Sequence, residues 1–296
     1  MASTKTASKD IEKQVEEVKE QAEEVQNEAK AALSNPWFER LARFGYLSKG
    51  AVYVIVGILA IQAALGTRAA PPDTQDALTA IVARPTGQLL LIGVAVGLLG
   101  YVAWRLVQAL LDPENKGHDL KGIVQRIGYL FSGIAYGGVA LAALEIVTGG
   151  PGRGQSDATE DWTARFLAQP FGVWLVILAG VAIIGYGAEQ LYEAYSASFQ
   201  ERFKGHEMSD SARRWAVYVG RLGYAARGLV YGLIGWFLLQ AAYLVDADAA
   251  DGLREVLLTL SRQPYGPWLL GLVGIGLASY GLYAMFEARY RHVEPG

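Results

Sequence analysis

The chain has no cysteine and only three histidines in 296 residues. Without cysteine there is no disulfide, thiolate zinc site, iron–sulfur cluster or thiol nucleophile. His118, His206 and His292 fall in predicted loops or the tail, so no pair of imidazoles lies inside a span to hold a haem. Charge of one sign is lacking too. The 26 basic and 29 acidic residues leave a formal charge of -3, with no basic patch suited to nucleic acid. No nucleophile stands beside a base, no metal-ligand cluster occurs, and the glycines lie inside apolar runs and not between a strand and a helix. Neither enzyme activity nor a cofactor is expected. The start, Met1-Ala2-Ser3-Thr4-Lys5, leads into charged residues, so a cleavable signal peptide is not expected either.

What is abundant is apolar sequence, 52% of the chain. It is gathered into runs of about twenty residues, the length a helix needs to cross a hydrocarbon core of roughly 30 Å. The runs predict six spans, at 46–66, 87–111, 128–149, 171–195, 223–245 and 266–290. The expected fold is an all-α membrane protein whose first partner is the lipid bilayer. Residues 10–33 read differently. Ile11, Val15, Val18, Ala22, Val25, Ala29 and Ala32 form a heptad-like seam on a helix otherwise rich in Glu, Lys and Gln. This acidic amphipathic arm, residues 1–35, is either solvated or a surface for self-association or a protein partner. Asn35-Pro36 supplies a cap and a first-turn proline for the next helix.

Beyond the arm the sequence repeats three times, in segments 36–112, 113–200 and 201–296. Arg43-Phe44-Gly45-Tyr46, Arg126-Ile127-Gly128-Tyr129 and Arg221-Leu222-Gly223-Tyr224 open three apolar helices. Each continues to a glycine (Gly50, Gly133, Gly228), a second tyrosine (Tyr53, Tyr136, Tyr231) and a polar residue (Gln62, Glu145, Gln240) at one offset. A second helix follows Pro85-Thr86-Gly87, Pro170-Phe171-Gly172 or Pro264-Tyr265-Gly266 and carries Tyr101, Tyr186 or Tyr280. Asp76, Asp161 and Glu255, nine residues before each proline, mark short amphipathic segments expected to lie half-buried on the surface. Two spans per unit make the repeats parallel, and the simplest arrangement is a pseudo-threefold ring.

Basic residues set the expected orientation. The side with both termini holds Lys30, Arg40, Arg43, Lys49, Lys116, Lys121, Arg126, Arg202, Lys204, Arg213, Arg214, Arg221, Arg289 and Arg291. The opposite loops hold Arg68, Arg84, Arg153, Arg165, Arg254 and Arg262. Both termini are therefore expected in the cytoplasm of a bacterium, with the protein in its inner membrane. The thrice-repeated R-x-G-Y-x-x-x-G-x-x-Y helix followed by a P-x-G helix resembles a bacterial membrane family known only as a domain of unknown function, catalogued as twelve-zero-six. The resemblance covers roughly residues 36–290. It implies six spans in three two-helix domains, with no established activity.

The candidate sites are few. On a helical wheel the opening arginine, the glycine and the two tyrosines share a stripe suited to close helix packing, and Gln62, Glu145 and Gln240 fall opposite. Each arginine would reach lipid phosphates, or pair with Glu193 or Glu287. Glu189, Glu193 and Glu287 lie near the cytoplasmic ends of the second helices, where an acid is either interfacial or functional. Two functions fit: a non-catalytic scaffold, assembly or interaction protein, or a small pore or transporter lined by Gln62, Glu145 and Gln240.

Overall fold

The first helix of each repeat begins well upstream of its apolar run, at a side-chain cap in repeats 2 and 3. In the computed structural model, which describes residues 36–112, 117, 119–152, 155–203, 208–250 and 252–291, α1 covers Pro36–Ala64, α4 Leu120–Val147 and α7 Asp210–Leu244. These helices start eight to thirteen residues before the expected spans. The hydropathy ends near the repeat arginine, but the helix runs on into water until a side chain stops it. Asp119 Oδ1 accepts the N–H of Gly122 at 3.0 Å and Ser209 Oγ that of Ala212 at 3.2 Å, satisfying orphan donors of the first turn. The acidic arm and all three histidines lie outside the described residues.

The second helices are α3 (Gly87–Leu111), α6 (Gly172–Ser196) and α9 (Gly266–Tyr290). Each P-x-G motif is a β-turn into one of them, with proline at the second position, where its fixed φ fits. The closing bonds run from Gly87 N to Arg84 O (2.8 Å), Gly172 N to Gln169 O (2.9 Å) and Gly266 N to Gln263 O (2.8 Å). A Cβ on the turn glycine would stand 2.6 Å from Val82 C in the first repeat and 2.5 Å from Ser261 C in the third, which is why glycine is needed.

Three shorter helices lead into these turns: α2 (Thr74–Val82), α5 (Gln155–Leu167) and α8 (Leu253–Ser261). They are amphipathic. α2 buries Ala77, Leu78 and Ile81, and α8 buries Leu253, Val256, Leu257 and Leu260. Asp73 and Asp76 form a capping box at the start of α2, and Arg254 of α8 binds both acids, at 2.9 and 3.0 Å. The two surface helices thus form one lid over a core that includes Val56, Ala60, Leu91 and Leu270.

The six long helices pack in the order α4, α3, α1, α9, α7, α6. Three of the five contacts join different repeats: α3 with α4, α9 with α1, and α6 with α7. The other two join the helices of repeat 1 (α1 with α3) and of repeat 3 (α7 with α9). Repeat 2 is the exception, because α4 and α6 make at most a marginal contact. The result is a pseudo-threefold ring left open at one seam.

The sequence at that seam gives the reason. In repeat 1 Ser48 is buried against Gly97, and in repeat 3 Ala226 is buried against Gly276. The same positions in repeat 2 hold Phe131 and Ala182, a bulky ring and an added methyl where two small groups must meet. Phe131 is 66% exposed. The motif glycines report the same difference. A Cβ on Gly45 would lie 2.5 Å from Tyr101 N, and one on Gly223 2.5 Å from Tyr280 Cα, whereas one on Gly128 would meet nothing within 4 Å.

Candidate functional site

Every residue of the repeat motif has a defined contact. The opening arginine donates to the carbonyl oxygens that end the neighbouring repeat's second helix. Arg43 reaches Ala288 O (3.0 Å) and Arg289 O (2.5 Å), Arg126 reaches Ala109 O (2.8 Å) and Leu110 O (2.9 Å), and Arg221 reaches Tyr195 O (3.4 Å). A cation at a helix C-terminus satisfies free carbonyls and complements the helix dipole. The alternative of a pairing with Glu193 or Glu287 is not formed among the described residues, because both acids are engaged elsewhere: Glu193 with Arg202 at 2.7 Å and Ser198 at 2.9 Å, Glu287 with Arg291. The second motif glycine sets the seam between repeats. A Cβ on Gly50 would stand 2.7 Å from Gly281 O and one on Gly228 2.9 Å from Gly187 O. At the third seam Val102 replaces that partner glycine, and Gly133 has more room, 3.9 Å to Val102 O.

The motif's last tyrosine meets the tyrosine of the neighbouring second helix at all three seams. Tyr53–Tyr280, Tyr136–Tyr101 and Tyr231–Tyr186 have ring centroids 4.8, 4.9 and 5.0 Å apart, each edge to face. Such pairs add about 0.5–1.5 kcal/mol each beyond their buried area. They also meet across the centre, where Tyr136 Oη donates to Tyr53 Oη at 3.1 Å.

Among these rings sit three cations. Lys49 is 1% exposed, donates to Tyr280 Oη (2.7 Å) and Tyr101 Oη (3.1 Å), and lies within about 5 Å of three ring centroids. Arg227 is 5% exposed and donates to Tyr231 Oη (3.1 Å) and Tyr186 Oη (3.2 Å). Its guanidinium carbon lies 4.2 Å from the Tyr280 ring centroid. Lys49 and Arg227 occupy one repeat position, which in repeat 2 is Ser132. There Arg105 of α3 supplies the cation, donating to Tyr101 Oη (2.7 Å) and Gln108 Oε1 (2.8 Å). Each seam between repeats therefore carries one cation and one tyrosine pair.

None of the three cations forms an ion pair among the described residues. Among the described residues, the nearby carboxylates Glu193 and Glu287 pair with Arg202 and Arg291, which leaves the exposed Glu189 against Lys49, Arg105 and Arg227, a surplus of two positive charges. Among the described residues, two buried polar atoms beside the α6–α7 seam have no hydrogen-bond partner: Arg227 Nε and Gln190 Oε1. No group of three His, Cys, Asp or Glu among the described residues could hold a metal.

The polar triplet lies elsewhere. Gln62 and Gln240 are exposed and Glu145 is half-buried, with its side chain against Gly150. No hydrogen bond joins the three, and each stands a half-turn from the tyrosine (Tyr53, Tyr136 or Tyr231) that meets the centre. Glu189 is exposed on α6, while Glu193 and Glu287 are buried in their pairs. Lys49, which the basic-residue asymmetry counts with the solvated cations, is instead a buried interior group. Tyr46, Tyr129 and Tyr224 flank the cluster: Tyr46 packs edge-on against Tyr101, Arg105 lies over the Tyr129 ring, and Tyr224 packs against Tyr280. The cations escaped the sequence reading, although a basic residue six positions after two of the three motif arginines, inside an apolar run, was the available signal.

Among the described residues, six helices long and apolar enough to cross a membrane, in three copies of one two-helix unit, define a multi-pass membrane protein of internal repeats. The chain belongs to the family described as Domain of Unknown Function (DUF1206), which it matches three times, at residues 44–112, 127–197 and 222–291. It is similar to the uncharacterized protein YxxB of Bacillus subtilis (strain 168), with 35% identity over 260 residues, 88% of this chain and 94% of that protein. No solved structure matches.

Proposed function

We propose that this protein is a non-catalytic membrane protein that binds an anion at the centre of its ring, held by Lys49, Arg105 and Arg227 and the surrounding tyrosine hydroxyls. The observation that carries this reading is a pair of buried cations, Lys49 and Arg227, with the half-buried Arg105 beside them, none of them in an ion pair among the described residues. A Lys or Arg costs about 2.5–3.5 kcal/mol at the centre of a span and less toward its ends, where these three stand, and together they attract a compensating charge. Tyrosine faces and hydroxyls solvate the cations but do not cancel them. A scaffold would need no charge in its interior. A pore would need an open axis, whereas the interior on the loop side is filled with aliphatic side chains.

In neutral detergent at fixed ionic strength, inorganic phosphate should raise the unfolding temperature with a saturable dose response, while exchange of sodium for choline should not. Loss of the saturable response would contradict an anion site. We also place both termini in the cytoplasm, on the basic-residue asymmetry. Reporters fused after Gly296 and before Asp10 should both read cytoplasmic, and insertions near Gly152 and Asp248 should read external. An external C-terminal reporter would overturn that orientation.

A further inference from the structure

We infer that the open seam between α4 and α6 is a lateral portal, through which the phosphate headgroup of an anionic membrane lipid reaches the cation–tyrosine cluster once the side chains that bury Arg227 move aside. The inference rests on the anion-binding reading and adds to it the source of the anion and its route. Both polar ends of the ring are filled. On the loop side, α2 and α8 set Leu78 and Leu257, each 0% exposed, over the aliphatic core. On the terminal side, Phe199 is 0% exposed and stacks on Tyr224, and Phe203 packs against Tyr283 and pairs through its backbone with Arg291. Among the described residues, the remaining way in is through the wall.

That wall is open in repeat 2 alone, where Phe131 and Ala182 replace the small pairs that close repeats 1 and 3. Gly128 and Gly185 occupy positions that in repeat 1 (Gly45, Gly100) and, for the first, in repeat 3 (Gly223) touch the partner helix, yet each has nothing within 4 Å. At the inner end of this gap α6 carries Tyr186, which Arg227 binds, and the Arg227 Nε–H donor has no hydrogen-bond partner among the described residues. Arg227 is more than nine-tenths buried. A lipid suits this arrangement chemically. Its acyl chains stay in the bilayer beside exposed apolar residues of α4 and α6, such as Phe131 and Leu178, while its phosphate oxygens accept hydrogen bonds from guanidinium and phenol.

The test uses the full chain reconstituted in phosphatidylcholine bilayers containing a minor fraction of phosphatidate, with native mass spectrometry reading the retained lipid. Equilibrium dialysis against inorganic phosphate is run in parallel on the wild type in neutral detergent. The wild type should retain one phosphatidate in preference to phosphatidylcholine. The pair Gly128→Trp and Gly185→Trp, placed in open space, should lower that retention at least tenfold. Leu141→Trp, exposed on another face of α4, should leave it unchanged and so control for the added ring. Phosphate binding without a preference for phosphatidate, or retention that survives the tryptophan pair, would overturn the portal and leave the anion site standing. Binding of neither probe would overturn both.

Discussion

Gly45→Leu and Gly223→Leu should each lower the unfolding temperature in neutral detergent sharply, whereas Gly128→Leu at the same motif position should leave it nearly unchanged. At Gly45 the first added carbon would already lie 2.5 Å from Tyr101 N and 2.8 Å from Gly97 O, and at Gly223 it would press on the Tyr280 backbone. Backbone cannot step aside as a flexible side chain can. The helix pair must separate, at a cost of about 3 kcal/mol, the upper end of the usual range for overpacking. Leucine at 128 would project into open space, with an effect within roughly 0.5 kcal/mol. Equal destabilisation at all three positions would mean that α4 and α6 pack as the other pairs do. Threefold sequence symmetry would then be threefold structural symmetry, and the open seam would not exist.

Most of the architecture was legible because repetition multiplies a weak signal. A single R-x-G-Y says little, but three copies at one spacing fix the helix pairs, and the P-x-G turns fix where the second helices begin, at Gly87, Gly172 and Gly266. Hydropathy makes the first helices too short, since it ends where the bilayer ends while a helix ends at its cap, as at Ser209. The tyrosine stripe was legible as a packing face; its partners were not, because periodicity gives a direction and not a neighbour. That limit is why Gln62, Glu145 and Gln240 could be drawn either toward an axis or toward lipid. The cations were hidden for a different reason. Lys49 lies six residues inside Arg43 and reads as one more basic residue at a cytoplasmic end until the fold buries it. Arg105 fills from another helix the place that Ser132 leaves vacant, a substitution across space that no single repeat displays.

Lys49→Met and Arg227→Met should weaken anion binding while leaving the fold at least as stable. Methionine keeps much of the length and removes the charge. In a bilayer interior, replacing a buried charge without a counter-ion by an apolar chain is neutral or favourable, and the three tyrosine pairs remain to hold the seams. The lost charge-assisted hydrogen bond should weaken binding by about 1.5–3 kcal/mol, roughly 10- to 100-fold in Kd. Stability and binding moving in opposite directions would separate a ligand site from a packing cluster, whose variants lose stability alone. The direct measurement is equilibrium dialysis of the purified protein against radiolabelled inorganic phosphate. The expected result is one saturable equivalent per chain, with affinity at least tenfold lower in Lys49→Met and in Arg227→Met. No saturable binding, or binding indifferent to both substitutions, would contradict an anion site at the centre of the ring.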